Sequence, residues 1–95
     1  MGKDEITAIL HKHNDILNKY EIRSMFLFGS FARNEQKKGS DIDLIVDFKK
    51  PIGLIKYVKL KNELETMLHR KVDMVTKKAL KPIMRDQVLR EAVKL

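Results

Sequence analysis

Gly29 and Ser30 close one run of apolar residues, and Asp41 and Asp43 open another, Ile42 through Val46; these residue types at this spacing suit chemistry on a phosphate chain. Side chains on a strand alternate between faces, so Asp41 and Asp43 project to one side and Ile42 and Leu44 to the other. Two neighbouring carboxylates repel one another unless a cation lies between them, and their hard oxygens favour magnesium or manganese over zinc. A magnesium ion held there would in turn hold triphosphate oxygens.

Asp47 shares that face, but four residues at ~3.3 Å each put it about 13 Å from Asp43, too far to ligate the same ion. Asp73, between Val72 and Met74, is the better third carboxylate, because a lone acid inside an apolar strand needs a partner or a cation. Gly29 has no Cβ, which lets the backbone turn sharply and approach a ligand closely. Ser30 at a helix start can cap the helix or meet a phosphate, Ser40 can do likewise beside the carboxylates, and Arg33 adds a forked donor. Each alone has a plainer reading: a turn and cap, a solvated strand boundary, a surface charge, an acid paired with Arg70 or Lys71. In combination and in this order they point to a metal-bound nucleoside triphosphate.

Other groups carry less. His11 and His13 lie about 200° apart around a helix axis, poorly placed for one metal, and His69 near a helix end suits the helix dipole. There is no cysteine, which excludes disulfides, thiolate metal sites and a cysteine nucleophile. No serine has a histidine and acid arrangement, and the lysines lack a Walker-type glycine loop. No apolar run approaches the ~20 residues of a membrane span, and Lys3, Asp4 and Glu5 give the N-terminus no leader-like core. The expected protein is soluble and cytoplasmic, with no membrane partner.

The 20 lysines and arginines against 13 acidic residues give a formal charge of +7, which suits an anionic ligand. The lysines fall in scattered pairs (Lys37 and Lys38, Lys49 and Lys50, Lys77 and Lys78), with only two tyrosines and four phenylalanines between them. That pattern reads as solvated surface, and direct nucleic-acid binding is not expected.

The elements that must position the acids follow from the apolar pattern. With 95 residues and no repeat, the chain reads as a single domain, 1–95, burying perhaps ~60–65% of its unfolded surface. Ile6, Ile9, Leu10, Ile16 and Leu17, with His13 completing the stripe, predict a helix over 3–18. Strands are expected at 24–28, 42–48 and 72–76, and a short helix from the Gly29 turn to about 35. Residues 34–39 read as a surface loop. Pro51 and Gly53 break the chain before a helix over 54–69, marked by Leu54, Ile55, Val58, Leu64, Met67 and Leu68. A last helix begins at Leu80 with Pro82 in its first turn and Ile83, Val88, Leu89, Ala92 and Val93 on its buried face. The alternation argues for an α/β fold, a three-stranded sheet covered by about four helices.

Over essentially its whole length the chain resembles a minimal nucleotidyltransferase of the DNA polymerase beta superfamily, specifically the small MntA-like antitoxins encoded beside HEPN-domain toxins. Gly29, Ser30, Ala32 and Arg33 match the first motif, Ser40, Asp41 and Asp43 the second, and Asp73 the third acidic position. Asn34 departs from the glycine common there, a mild change because asparagine tolerates the left-handed conformation. The resemblance implies a mixed, palm-like sheet and two-metal nucleotidyl transfer. Asp41 and Asp43 would bind two magnesium ions, with manganese a possible substitute. Asp73 would join the catalytic ion and help activate the attacking hydroxyl, and Gly29 and Ser30 would hold the β and γ phosphates of ATP. In MntA-like members AMP is placed on a tyrosine of the cognate HEPN toxin, silencing its ribonuclease. Two alternatives stand beside this expectation: neutralisation of the partner by binding alone, and transfer to a small molecule.

Overall fold

Branched residues interrupted by two acids, from Ile42 to Phe48, build the middle of the sheet. In the computed structural model, which describes residues 2–95, β2 (Ile42–Phe48) and β3 (Val72–Thr76) have the bounds that the apolar pattern predicts. They run parallel, with Ile42 beside Val72, Asp43 beside Asp73 and Leu44 beside Met74. A parallel pair needs a crossover, and α4 (Leu54–Leu68) supplies it. On the other side of β2, β1 (Ile22–Phe28) pairs antiparallel, bringing Phe28 beside Asp43.

A fourth strand, β4 (Val93–Lys94), pairs antiparallel with β1, so the sheet is mixed and four-stranded, in the order β3-β2-β1-β4. Two residues are too few to display an alternation, which is why three strands were expected. Leu95 N–H extends the contact by donating to the Met25 carbonyl at 2.9 Å.

One sheet face is the core. Met25, Leu27, Ile42, Leu44, Val46, Val72 and Met74 pack with Ile6 and Leu10 of α1 (Lys3–Lys12) and with Leu60, Leu64 and Leu68 of α4. The three leucines recur every four residues and are fully buried. Leu54 and Ile55, by contrast, are 78% and 74% exposed, and Val58 is also exposed. At 100° per residue, Val58 and Ile55 lie roughly 120° and 180° around the axis from Leu64, so the burying row excludes them. Among the described residues no helix is long and apolar enough to cross a membrane.

Several expected elements end elsewhere, each for a local reason. The first helix is two, α1 and α2 (Asp15–Lys19), broken at His13 and Asn14. His13 N–H is shared between the Ile9 and Leu10 carbonyls, both at 3.2 Å, which closes α1 at two weak helix formers. His13 is consequently exposed and completes no stripe. β1 starts two residues before its predicted beginning, because a bulge between Ile22 and Ser24 interrupts the alternation. The last helix, α5 (Pro82–Glu91), follows a 3₁₀ turn at Lys77–Ala79. It cannot begin at Leu80, since the residue before a proline is driven extended, and Lys81 has ψ 139°. Ile83 is 87% exposed where burial was expected, and Val93 belongs to β4.

α3 (Gly29–Ala32) is shorter than the helix predicted to about 35, and Asn34 stops it. Asn34 has φ +57°; its N–H donates to the Phe31 carbonyl at 3.3 Å, and Glu35 N–H donates to the Ser30 carbonyl at 2.8 Å. These two bonds form a Schellman cap, whose left-handed position glycine fills most easily. Asn34→Ala should therefore cost about 1 kcal/mol in chemical denaturation, and Asn34→Gly should cost nothing or stabilise slightly.

Candidate active site

Three segments meet at one end of the sheet: the starts of parallel β2 and β3 and the end of antiparallel β1. The register sets Phe28, Asp43 and Asp73 side by side across three strands. Residues in register share a face, so Asp43 and Asp73 project together from the side opposite the core residues Leu44 and Val72. Asp43 is half-buried, while Asp73 and Asp41 are exposed, Asp41 lying just before β2. Asp47, in register with Ser24 farther along β2, faces Arg23 Nη1 at 3.8 Å and stands outside the group, as its spacing requires.

Gly29 follows Phe28 directly and has φ +72°. A Cβ built on it would fall 2.2 Å from Asp43 Oδ2 and 3.1 Å from its Cγ. The space a side chain would fill is therefore occupied by the carboxylate, and only glycine satisfies both the backbone angle and the contact.

The Asp43 carboxyl is pushed above its ordinary range, first by burial and then by the negative charges of Asp73 and Asp41, with Arg33 opposing. Asp43 thus senses both of the other acids. The three do not form a closed cage: among the described residues no three His, Cys, Asp or Glu side chains are gathered as a metal-binding group. Asp43 and Asp73 stand as an in-register pair, with Asp41 adding negative charge from the strand entrance. The donor set still suits a hard divalent cation, because magnesium is typically held by one or two carboxylates plus substrate phosphates.

The remaining predicted residues surround this pair. Ser30 is half-buried in the first turn of α3. Arg33 caps α3 and forms an exposed ion pair with Glu35, Nε to Oε2 at 3.2 Å. Ser40 Oγ accepts from Lys37 N–H at 2.9 Å, shaping the turn before Asp41 and leaving its hydroxyl hydrogen free to donate. His69 is the left-handed residue that ends α4, with φ +54°, and His11 and His13 are exposed on and just after α1. A cleft of about 520 Å³ bordered by Tyr20, Lys50, Pro51, Gly53 and Lys56 lies beyond the far end of β2, away from Asp43.

Two neighbours of the site carry no sequence signal. Tyr57 of α4 donates its hydroxyl to the Met74 carbonyl, and Glu65 Oε2 accepts from Val72 N–H at 2.9 Å. Burial and the charge of Asp73 push the Tyr57 hydroxyl up. Neither residue belongs to a motif, and only the crossover of α4 onto β3 brings them here.

Known proteins resemble this chain in sequence and fold. The family described as polymerase beta, nucleotidyltransferase matches residues 11–95. MJ1217 of Methanocaldococcus jannaschii, provisionally named a protein adenylyltransferase, is 48% identical over 77 residues, covering 80% of this chain and 79% of that protein. Protein adenylyltransferase MntA of Thermococcus cleftensis is 38% identical over 91 residues, 95% of this chain and 92% of that one. A solved structure provisionally named a minimal nucleotidyltransferase superposes with a TM-score of 0.86 at 35% identity, covering 100% of this chain and 97% of its own. On sequence and fold, the chain belongs to the polymerase beta nucleotidyltransferase family.

Proposed function

We propose that the protein transfers AMP from ATP, with magnesium, to a hydroxyl on a cognate HEPN-domain toxin, a tyrosine in the first instance, and so acts as its antitoxin. The observation that carries the reading is the contact between Gly29 and Asp43 with Asp73 in register beside them. A protein acceptor is supported by the names of the M. jannaschii and T. cleftensis relatives, and the toxin partner by the motif resemblance.

In this reading the turn at Gly29 and Ser30 holds the triphosphate, and the Ser30 hydroxyl donates to a phosphate oxygen. Asp43 and Asp73, with Asp41, are the residues that would hold magnesium. When bound, magnesium would supply positive charge to the phosphate oxygens and acidify the attacking hydroxyl. Asp73, the more exposed of the pair, accepts the hydroxyl proton as the acceptor oxygen bonds to the α-phosphorus. The bond from that phosphorus to the bridging oxygen breaks, and pyrophosphate leaves.

Incubating the protein with α-labelled ATP, magnesium and the product of the neighbouring gene should place label on that product; an unlabelled partner beside a folded enzyme would overturn the proposal. Neutralisation by binding alone separates cleanly from it. A chain carrying both Asp41→Asn and Asp43→Asn should lose protection of cells against the toxin, and undiminished protection would make catalysis dispensable.

A further inference from the structure

Among the described residues β3 is an outer strand, paired with β2 alone. Ile42 N–H donates to the Lys71 carbonyl at 2.9 Å, and Ile42 is in register with Val72. In a parallel ladder this turns the peptide groups of Lys71, Asp73 and Val75 toward β2 and those of Val72, Met74 and Thr76 outward. Two of the outward groups are taken by α4. Glu65 accepts from Val72 N–H, and Tyr57 donates to the Met74 carbonyl, so the two contacts fall on the residues immediately before and after Asp73.

Asp73 needs such support. Among the described residues its carboxylate makes no hydrogen bond or ion pair that would fix it from the side-chain end, and it is exposed. Its place opposite Asp43 is therefore set by the backbone of a five-residue edge strand. Blunting an outer edge against other chains is a common use of side chains there. Here the contacts select the two peptide groups that bracket one acid, and α4 reaches them from residues two turns apart.

We propose that Tyr57 and Glu65 are positioning residues for Asp73, holding the outer edge of β3 on both sides of it so that its carboxylate stays in register with that of Asp43. The inference rests on the nucleotidyl-transfer reading of the acids, and extends it to residues outside every motif.

The test compares Tyr57→Phe, Glu65→Ala and Glu65→Gln with the parent, all as the full chain. Amide hydrogen exchange without metal or nucleotide reads strand placement. The expected result is about tenfold faster exchange at Asp73 and Val75 in Tyr57→Phe and Glu65→Ala, with protection retained at Phe26 and Ile45, which pair in the middle of the sheet. Titration with Mn²⁺ alone, followed by electron paramagnetic resonance, should give affinity about fivefold weaker in the same two variants. Glutamine keeps an acceptor for Val72 N–H, so Glu65→Gln should restore both readings. Turnover at saturating ATP should fall in parallel while KM for ATP holds. Unchanged exchange at Asp73 and Val75, or equal acceleration at Phe26 and Ile45, would overturn the inference, the latter by reducing it to general stability. If the parent itself transfers no AMP, the functional reading fails, and the exchange experiment still decides the positioning role.

Discussion

Asp43→Asn should lower AMP transfer by about a thousandfold or more and leave the protein folded. Losing a carboxylate that holds a catalytic cation removes several kcal/mol of transition-state stabilisation, on the order of three powers of ten in rate. Asparagine matches aspartate in shape, so the packing beside Gly29 survives. The substitution also removes a charge that the folded state disfavours. Burial and the neighbouring acids raise the Asp43 carboxyl above its unfolded value, so the native state binds that proton more tightly. Stability from this group is then present at pH below the unfolded carboxylate value and is lost as pH rises through the native one. Without divalent cations, Asp43→Asn should melt slightly higher than the parent at pH 7, and the gain should vanish near pH 3. A variant that melts lower at pH 7, or retains parent activity, contradicts this assignment.

Gly29→Ala should cost transfer on the order of a hundredfold while the fold persists. Two effects act at once. The φ of +72° strains any residue with a Cβ by about 1–2 kcal/mol, and that Cβ would collide with Asp43 Oδ2. The carboxylate can relieve the collision only by rotating away, and a displacement of about 1 Å at a catalytic group is enough to lose on the order of a hundredfold. Gly39 provides the control. It has φ +87°, yet nothing lies within 4 Å of a Cβ placed there. Gly39→Ala should therefore lose about 1–2 kcal/mol in denaturant melts and keep its transfer rate. Equal activity losses in the two variants would mean that the contact with Asp43 is immaterial.

Much of this organisation can be read from residue order because the decisive signals are local. Ile42 to Phe48 and Val72 to Thr76 each carry enough branched residues to declare a strand, and their parallel register alone brings Asp43 to Asp73. Asn34 could be read as a tolerated replacement for glycine, and its left-handed Schellman position bears this out.

What escaped depends on tertiary contact. β4 exists only because β1 offers it an edge, and α1 ends at His13 through backbone bonds that no periodicity encodes. Leu54 and Ile55 have core-like composition but lie in water, since burial in α4 follows the row of Leu60, Leu64 and Leu68, and Ile83 of α5 is exposed as well. At the site, spacing placed the acids on one face but could not reveal that Asp41 stays at the strand entrance, that Arg33 pairs with Glu35, or that Tyr57 and Glu65 grip the strand bearing Asp73.

Asp43 and Asp73, with Asp41, would hold a divalent cation beside Gly29. Substoichiometric Mn²⁺ added to isotope-labelled protein would report this directly through paramagnetic broadening of amide resonances. Gly29, Ser30, Asp41, Asp43 and Asp73 should broaden first, Tyr20 and Gly53 at the far end of the sheet should stay sharp, and Asp43→Asn should abolish the effect. Broadening centred on His11 and His13, or an identical pattern in Asp43→Asn, would contradict it.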